Sequence, residues 1–451
     1  MNDVLIKDNI FREYDIRGIY KEDINEDVSY IIGKSFASYI VNKNVIIGHD
    51  NRLSSPFLYE ELKRGLLSAG ANVISLGLVT SPEFYYAKKH FSIYNGIMIT
   101  ASHNPKEYNG YKISFNDKGN ACGKEIYDFR EFTKRKAFIN DEGSISNYDI
   151  KSDYLNNIKS SISLGSKRIK VVVDTGNGTA STIIKEVLDM FNIEYVLLNN
   201  ISDGTFPVHP CDPCVRENQI QLANEVLRLN YDFGFGIDGD GDRVGIVDEK
   251  GNILSCEYLM VLIYRNLSSI TSKAIFDVKC SKMLIDELKH LGYTTCMNRT
   301  GNSYMHRAIN ENNYLFGAEY SGHTWFKDRY QGFDDGIYAA LRVIEILSKT
   351  NKTLSNELDG LNKYYSTDEI RIEVRDSNKN LIVDEVKKYA INKGYNIVDI
   401  DGVRVEYDDG WALVRASNTT PSLTLRFEST SKERLNEIKK EYIDLVNNLI
   451  L

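Results

Sequence analysis

Three times in this chain a β-branched apolar run stops abruptly at polar residues: Val45-Ile46-Ile47-Gly48-His49-Asp50, Val171-Val172-Val173-Asp174-Thr175-Gly176 and Ala274-Ile275-Phe276-Asp277-Val278-Lys279. A stretch with helical spacing follows each, as in Pro56 to Leu67 and Ala180 to Met190, where apolar residues recur three and four apart. Further on, each repeat has a second apolar run that ends in a polar loop. These runs are Gly96-Ile97-Met98-Ile99, Phe233-Gly234-Phe235-Gly236-Ile237 and Tyr314-Leu315-Phe316-Gly317-Ala318. Their hydrophobicity is continuous instead of alternating, which predicts strands covered on both faces, as in parallel or mixed α/β sheets. Ligands of such sheets bind beyond the strand ends. The pattern therefore predicts an α/β protein in which three related α/β domains with mixed sheets face a central cleft.

A chain of 451 residues exceeds what one hydrophobic core supports. The expected domains are residues 1–150, 151–254 and 255–364, with a fourth over 365–451. The polar stretch Asn140-Asp141-Glu142-Gly143-Ser144 marks the first junction, and Asp248-Glu249-Lys250-Gly251-Asn252 is a turn near the second. After about Tyr365 the pattern changes to short alternating strands such as Glu369-Ile370-Arg371-Ile372-Glu373-Val374, then Trp411 to Val414 and Leu423 to Phe427, and a closing helix from Ser431. That predicts an α+β domain of different construction.

The loops at the strand ends carry the chemistry. Thr100-Ala101-Ser102-His103-Asn104-Pro105 offers a nucleophilic hydroxyl on a segment stiffened by proline. Asp238-Gly239-Asp240-Gly241-Asp242-Arg243 sets three carboxylates on alternate residues, pointing the same way in extended chain. Such carboxylates repel one another unless a cation sits among them, and all-oxygen donors select Mg²⁺ or Ca²⁺. An EF-hand is excluded: Glu249 falls at the twelfth loop position, but the sixth is Arg243 and strands flank the loop. A hydroxyl beside a hard cation points to phosphoryl transfer through Ser102, with Arg243 neutralising the phosphoryl group. Glu319, Ser321 and His323 alternate, so they can face one side, where Glu319 and Ser321 can hydrogen-bond sugar hydroxyls and His323 is either catalytic or structural. Arg415 to Pro421 concentrates a guanidinium with Ser417, Asn418 and Thr419, a composition suited to a non-reacting phosphate.

Hydrophobic content of 42% and a net charge of −8 suit a globular protein and argue against nucleic acid or an anionic membrane as the main partner. No apolar run is long enough for a bilayer span or a signal peptide, so the expected location is cytoplasmic. Six dispersed cysteines form no disulfide framework, and Cys211-Asp212-Pro213-Cys214 lacks the second pair of a zinc ribbon. Asp174-Thr175-Gly176-Asn177-Gly178 lacks a full dinucleotide fingerprint and no Walker lysine follows it.

Taken in order from about Phe11 to Phe427, these loops closely resemble those of the α-D-phosphohexomutases, in particular the bacterial phosphomannomutase/phosphoglucomutase group. The resemblance implies four domains around a deep cleft, the fourth TATA-binding-protein-like. It implies that Ser102 is the phosphorylated serine and that Asp238, Asp240 and Asp242 hold Mg²⁺ together with an oxygen on Ser102. Arg243 matches the arginine beside that phosphate, and Glu319 and Ser321 match the sugar-hydroxyl readers. Arg415, Ser417, Asn418 and Thr419 match the distal phosphate site, joined by Tyr14 and Arg17. Lys112 matches a lysine proposed as general acid/base, and Lys279 a substrate-contacting lysine. Relatives often carry histidine where Thr300-Gly301-Asn302-Ser303 has Asn302, and several carry methionine where Tyr320 stands. Asn302 can hydrogen-bond substrate but cannot take a proton, so proton transfer is expected of His323 or Lys112.

The implied reaction interconverts hexose 1-phosphate and hexose 6-phosphate, of mannose or glucose, with hexose 1,6-bisphosphate as intermediate and activator. The expected assembly is a monomer or homodimer. Phosphoglucosamine mutase is the same-fold alternative. A metal-dependent sugar phosphatase and a non-catalytic sugar-phosphate binder are the alternatives of other classes.

Overall fold

The computed structural model describes residues 5–267, 272–417 and 420–450. Its first three sheets share one topology. In the first, Asn72–Leu78, Asn44–His49 and Gly96–Ile99 are adjacent parallel strands, and Tyr108–Ser114 adds antiparallel to Gly96–Ile99. The second repeats this with Glu194–Leu198, Lys170–Asp174, Phe233–Ile237 and the antiparallel Val244–Asp248. The third does so with Thr294–Asn298, Lys273–Asp277, Phe316–Ala318 and the antiparallel Thr324–Phe326. In every case the loop between the third and fourth of these strands carries a predicted site: Ser102, the aspartate cluster, or Glu319 to His323. The strands Gly96–Ile99, Phe233–Ile237 and Phe316–Ala318 are buried along their whole length, as two-sided coverage requires.

The chain does not leave the first sheet at Asn140. Ser144–Asn147 returns as an exposed edge strand parallel to Asn72–Leu78 before the next helix begins at Lys151. The run expected as one helix from Ala180 is a 3₁₀ turn, Thr179–Thr182, followed by a helix, Ile184–Met190. Thr179 ties that first turn to neighbouring loops: its N–H donates to the Gly239 carbonyl at 2.8 Å, and its hydroxyl accepts from the Asn51 N–H at 3.1 Å. A continuous core joins the second and third domains to the helix Ser81–His90 of the first.

The fourth sheet pairs Tyr365–Ser366, Ile370–Glu373, Ser422–Ser429, Gly410–Ala416, Val403–Tyr407 and Asn396–Val398, all antiparallel. It has its own core under the helices Lys379–Asn392 and Lys432–Ile450. Here one expectation fails. Ser422–Ser429 is buried at every position, as is Gly410–Ala416 except at its last residue, so these strands do not alternate between core and water. Their second face docks on the third domain. Trp411 and Leu413 pack on Val278, and the buried Arg404 donates to the carbonyls of Val278 at 2.7 Å and Cys280 at 2.6 Å. Arg426 donates to the carbonyl of Lys279 between them and to Glu257 at 2.9 Å. Two guanidinium groups thus hold three consecutive carbonyls, satisfying acceptors that burial would otherwise strand. No helix among the described residues is long and apolar enough to cross a membrane. All six cysteines are free.

Candidate active site

The strand Gly96–Ile99 delivers its chain into a loop that departs sharply from sheet geometry. Ser102 has φ 50°, in the left-handed region that a non-glycine residue enters at a cost of about 1–2 kcal/mol. The strain is held from below by Arg52, which is fully buried. One Nη of Arg52 donates to the carbonyls of Ser102 at 2.7 Å and Asn104 at 2.6 Å; the other donates to those of Pro105 at 2.7 Å and Tyr108 at 3.1 Å. Asp50 supplies the counter-charge, 3.2 Å from Nε. The Ser102 N–H donates to the Thr100 hydroxyl at 2.8 Å. With the backbone so fixed, the Ser102 hydroxyl donates to Asp238 Oδ2 at 2.8 Å and lies 3.3 Å from His103 Nδ1. Burial and the guanidinium groups of Arg243 and Arg17 push His103 well below the ordinary histidine range, so its ring is uncharged.

The aspartate trio forms the floor. Asp238, Asp240 and Asp242 are all fully buried, and one oxygen of each lies within 4.8 Å of the others. Asp238 Oδ1 accepts from the Gly241 N–H at 3.0 Å and the Arg243 N–H at 3.1 Å, a fold of the loop that needs φ 91° at Gly241. Asp240 Oδ2 accepts from Ser81 at 2.6 Å and Thr100 at 3.2 Å. Lys112 Nζ reaches both Asp240 at 2.6 Å and Asp242 at 2.5 Å. Burial alone would push Lys112 down, but these two carboxylates hold it well above the ordinary lysine range. Burial and mutual repulsion push Asp238 and Asp242 up. Burial opposes ionisation of Asp240 as well, yet Lys112 outweighs it and keeps Asp240 well below the usual carboxylate range.

This donor set fits a hard divalent cation. Its atoms are carboxylate and hydroxyl oxygens, and Asp240 Oδ1 and Asp242 Oδ1 are buried without a hydrogen-bond partner. Burial, with a mutual repulsion that one ammonium group does not balance, drives Asp238 and Asp242 toward the protonated form.

Ser102 opens onto a cavity of about 480 Å³. Its lining brings together Tyr14, Arg17, Lys112, Arg243, Lys279, Asn302, Glu319, Ser321, His323, Arg415 and Ser417 with Ser102, although these residues come from all four sheets and the loops between them. Asn418 and Thr419 lie outside the described residues. Glu319 spans two jobs: one oxygen accepts from the Gly301 N–H at 2.7 Å and the other from Ser321 at 3.0 Å. At the far end, Arg415 donates through Nε to Asp401 at 3.0 Å, and the same Asp401 oxygen accepts from the Thr300 N–H at 3.1 Å. Lys279 pairs with Glu369 at 2.9 Å; burial would raise Glu369, but this ammonium holds it down at about 2. Arg17 donates to Asn104 at 2.7 Å and pairs with Asp15, which sets its guanidinium beside the Ser102 loop.

Four family models match in order: Phosphoglucomutase/phosphomannomutase, alpha/beta/alpha domain I over residues 8–136, domain II over 152–251, domain III over 255–364, and the C-terminal domain over 369–445. The phosphomannomutase/phosphoglucomutase of Pseudomonas putida is 39% identical over 440 residues, covering 96% of this chain and 94% of that one. The chain belongs to this family. The phosphoglucomutase of Neisseria gonorrhoeae is 35% identical, with 96% of each chain covered. A crystal structure of a phosphoglucomutase/phosphomannomutase family protein from Burkholderia thailandensis superposes with a TM-score of 0.90 at 33% identity, covering 99% of this chain and 98% of that one.

Within this phosphohexomutase site, one expected role meets a geometric obstacle. His323 entered as a candidate for proton transfer, but Arg243 Nε donates to its Nε2 at 2.9 Å and its Nδ1 lies 2.8 Å from Asp334. Nε2 has to release Arg243 before it can face substrate, whereas Nδ1 is buried without a hydrogen bond. Lys112 lines the cavity and keeps its proton. Three residues that hold the site together escaped the sequence reading. Arg52 looks like a solvated turn residue, Asp334 like half of an acidic pair before a helix, and Ser81 like a helix start. For Ser81 a signal existed: Thr80 and Glu83 form a capping box that fixes the helix N-terminus against Asp240.

Proposed function

We propose that this enzyme interconverts hexose 1-phosphate and hexose 6-phosphate of mannose and glucose by way of phosphorylated Ser102. The observation that carries the reading is the Ser102 hydroxyl, 2.8 Å from Asp238, at the floor of a cavity whose far wall holds Arg415 and Lys279.

In the forward step the free sugar hydroxyl attacks phosphorus on Ser102. A new O–P bond forms as the Oγ–P bond breaks, and the hydroxyl proton ends in place of the phosphoryl group on Ser102 Oγ, giving hexose 1,6-bisphosphate and a free serine. The bisphosphate turns end for end, and Ser102 takes back the other phosphoryl group. Asp238, Asp240 and Asp242 would hold Mg²⁺, which when bound would supply positive charge beside the transferring group. Arg243 adds a fixed guanidinium on the same side, and Arg415 with Ser417 grips the phosphate that does not react. Lys112, held as an ammonium by two carboxylates, is the acid available to the leaving oxygen. Glu319 and Ser321 read the sugar hydroxyls in both orientations. Positioning by these groups does most of the remaining work. Hexose 1,6-bisphosphate recharges a dephosphorylated serine by the same transfer.

The test is turnover of mannose, glucose and glucosamine 1-phosphates with Mg²⁺, following 6-phosphate product and inorganic phosphate together. The expected result is product without stoichiometric phosphate release, and kcat/KM lowest for glucosamine. Phosphate release matching substrate loss would make it a phosphatase. Preference for glucosamine 1-phosphate would move it to the same-fold alternative.

A further inference from the structure

The strand Lys273–Asp277 ends on a carboxylate that is fully buried and does not itself line the cavity. Two loops that do line it hang from this one group. Asp277 Oδ1 accepts from the Tyr320 N–H at 2.9 Å, between the sugar-reading residues Glu319 and Ser321. Asp277 Oδ2 accepts from the Thr300 hydroxyl at 3.0 Å, one residue before Gly301. The Cys280 thiol donates to Oδ1 at 3.1 Å, and the cavity-lining Lys279 stands with Nζ 3.9 Å from Oδ2.

A further contact closes the figure: the Gly301 N–H donates to Glu319 at 2.7 Å. Asp277, the Thr300–Gly301 turn and the Glu319–Tyr320 turn are thus joined in a ring of hydrogen bonds, and within it Glu319 is the carboxylate that reaches the cavity. The backbone that follows Asp277 is itself held, since Arg404 and Arg426 bind the carbonyls of Val278, Lys279 and Cys280. A carboxylate offers an acceptor on each oxygen, so it can take an N–H from one loop and an O–H from the other. Neither loop can shift against the other without leaving a donor of the site unpaired.

We infer that Asp277 is a positioning residue for sugar recognition: by holding Tyr320 and Thr300 on its two oxygens, it fixes where Glu319 meets the sugar hydroxyls. The inference rests on the mutase reading above for its ligand, a hexose phosphate, but it can be measured by binding alone.

The test is calorimetry on the Mg²⁺-loaded, unphosphorylated chain, titrated with glucose 1-phosphate and with analogues that each lack one ring hydroxyl. A hydrogen bond to a carboxylate contributes enough for the wild type to prefer the parent over at least one analogue by about 10- to 100-fold. Glu319→Ala should lose that preference. Asp277→Ala should lose most of it for the same hydroxyl, while inorganic phosphate binds as it does to wild type. Asp277→Asn keeps an acceptor for Tyr320, and the Thr300 hydroxyl can turn to accept from the new amide, so this variant should keep most of the preference. Thr300→Val should lose part of it and Thr300→Ser almost none. An Asp277→Ala chain that binds parent and analogues more weakly by one common factor, its preference intact, overturns the inference and leaves Asp277 a merely structural role. A wild type indifferent to every hydroxyl overturns it as well. If Asp277→Ala does not fold, the Thr300 variants decide, and a full preference in Thr300→Val overturns the inference. A wild type that binds hexose 1-phosphate but turns none over counts against the mutase reading alone, because the binding ratios still decide this one. A wild type that binds none overturns both.

Discussion

At the Ser102 end of the cavity the reacting loop is pinned from beneath: Arg52 holds four of its carbonyls, and Ser81, Thr100 and Lys112 converge on Asp240. At the Arg415 end the gripping residues ride on a sheet with its own core, docked to the rest through Arg404, Arg426 and Trp411. Both ends are buried and rich in charge, but the first belongs to a domain whose core continues into its neighbours, whereas the sheet that carries Arg415 meets the third domain through the small cluster of Val278, Trp411 and Leu413. The difference matches two demands. Transfer requires charge fixed to within tenths of an ångström, whereas a bisphosphate that turns over requires one grip to loosen and close again. Arg415 and Lys279 are each paired with a carboxylate, Asp401 and Glu369, so the distal end holds its cations by exchangeable contacts.

The strongest way to break this comparison is at the reacting end. Ser102→Ala should lower kcat by at least about a thousandfold, as expected when a nucleophile is deleted, with Tm nearly unchanged. Metal comes next. EDTA should abolish turnover, and Mg²⁺ at about 100 times its Kd should restore it while adding about 2.7 kcal/mol of stability. Calorimetry on Asp240→Asn should show that increment gone. At the distal end, Arg415→Ala should raise KM by about 10- to 100-fold, since a charge-assisted hydrogen bond contributes about 1.5–3 kcal/mol, and kcat should fall less. An equal loss in kcat would mean that the two ends are not mechanically distinct.

The docking itself sets the next scale. Arg404→Met leaves the carbonyls of Val278 and Cys280 without partners, a cost of about 2 kcal/mol. Calorimetry should then resolve a separate, earlier transition for the fourth domain, because its core is its own. The smallest effect on turnover concerns Lys88, on the helix whose first turn supports Asp240. It is buried against Phe84 and Tyr85, donates to Ser114 at 2.8 Å, and burial pushes it down to about 7. Its folded pKa lies below its unfolded one, so between about pH 7 and 10 the unfolded chain binds more protons and stability rises with pH. Denaturant melts of Lys88→Met should lack that rise, and the difference from wild type should be largest near pH 7.

The strand ends and the two reacting loops were legible because their chemistry leaves marks in composition. Buried parallel strands need continuous apolar runs, and a hard-cation site needs carboxylates packed closer than they tolerate alone. Arg52 left no such mark: what it binds is backbone carbonyl, which every residue offers. Asp334 was hidden for a related reason. It stands beside Asp335, whose carboxylate caps the next helix by accepting from the Tyr338 N–H at 2.9 Å, and nothing in the pair of letters says which one faces the site. The burial of both faces of Gly410–Ala416 was equally invisible, because Arg404 and Arg426 read as surface residues until their carbonyl partners are seen.

The most direct test of the central claim is intact-mass spectrometry with phosphosite mapping, before and after exposure to hexose 1,6-bisphosphate. One phosphoryl group gained on Ser102, and none in Ser102→Ala, is the predicted result. A phosphoryl group mapped to any other residue, or none gained by a dephosphorylated wild-type chain that still turns over substrate, would contradict it.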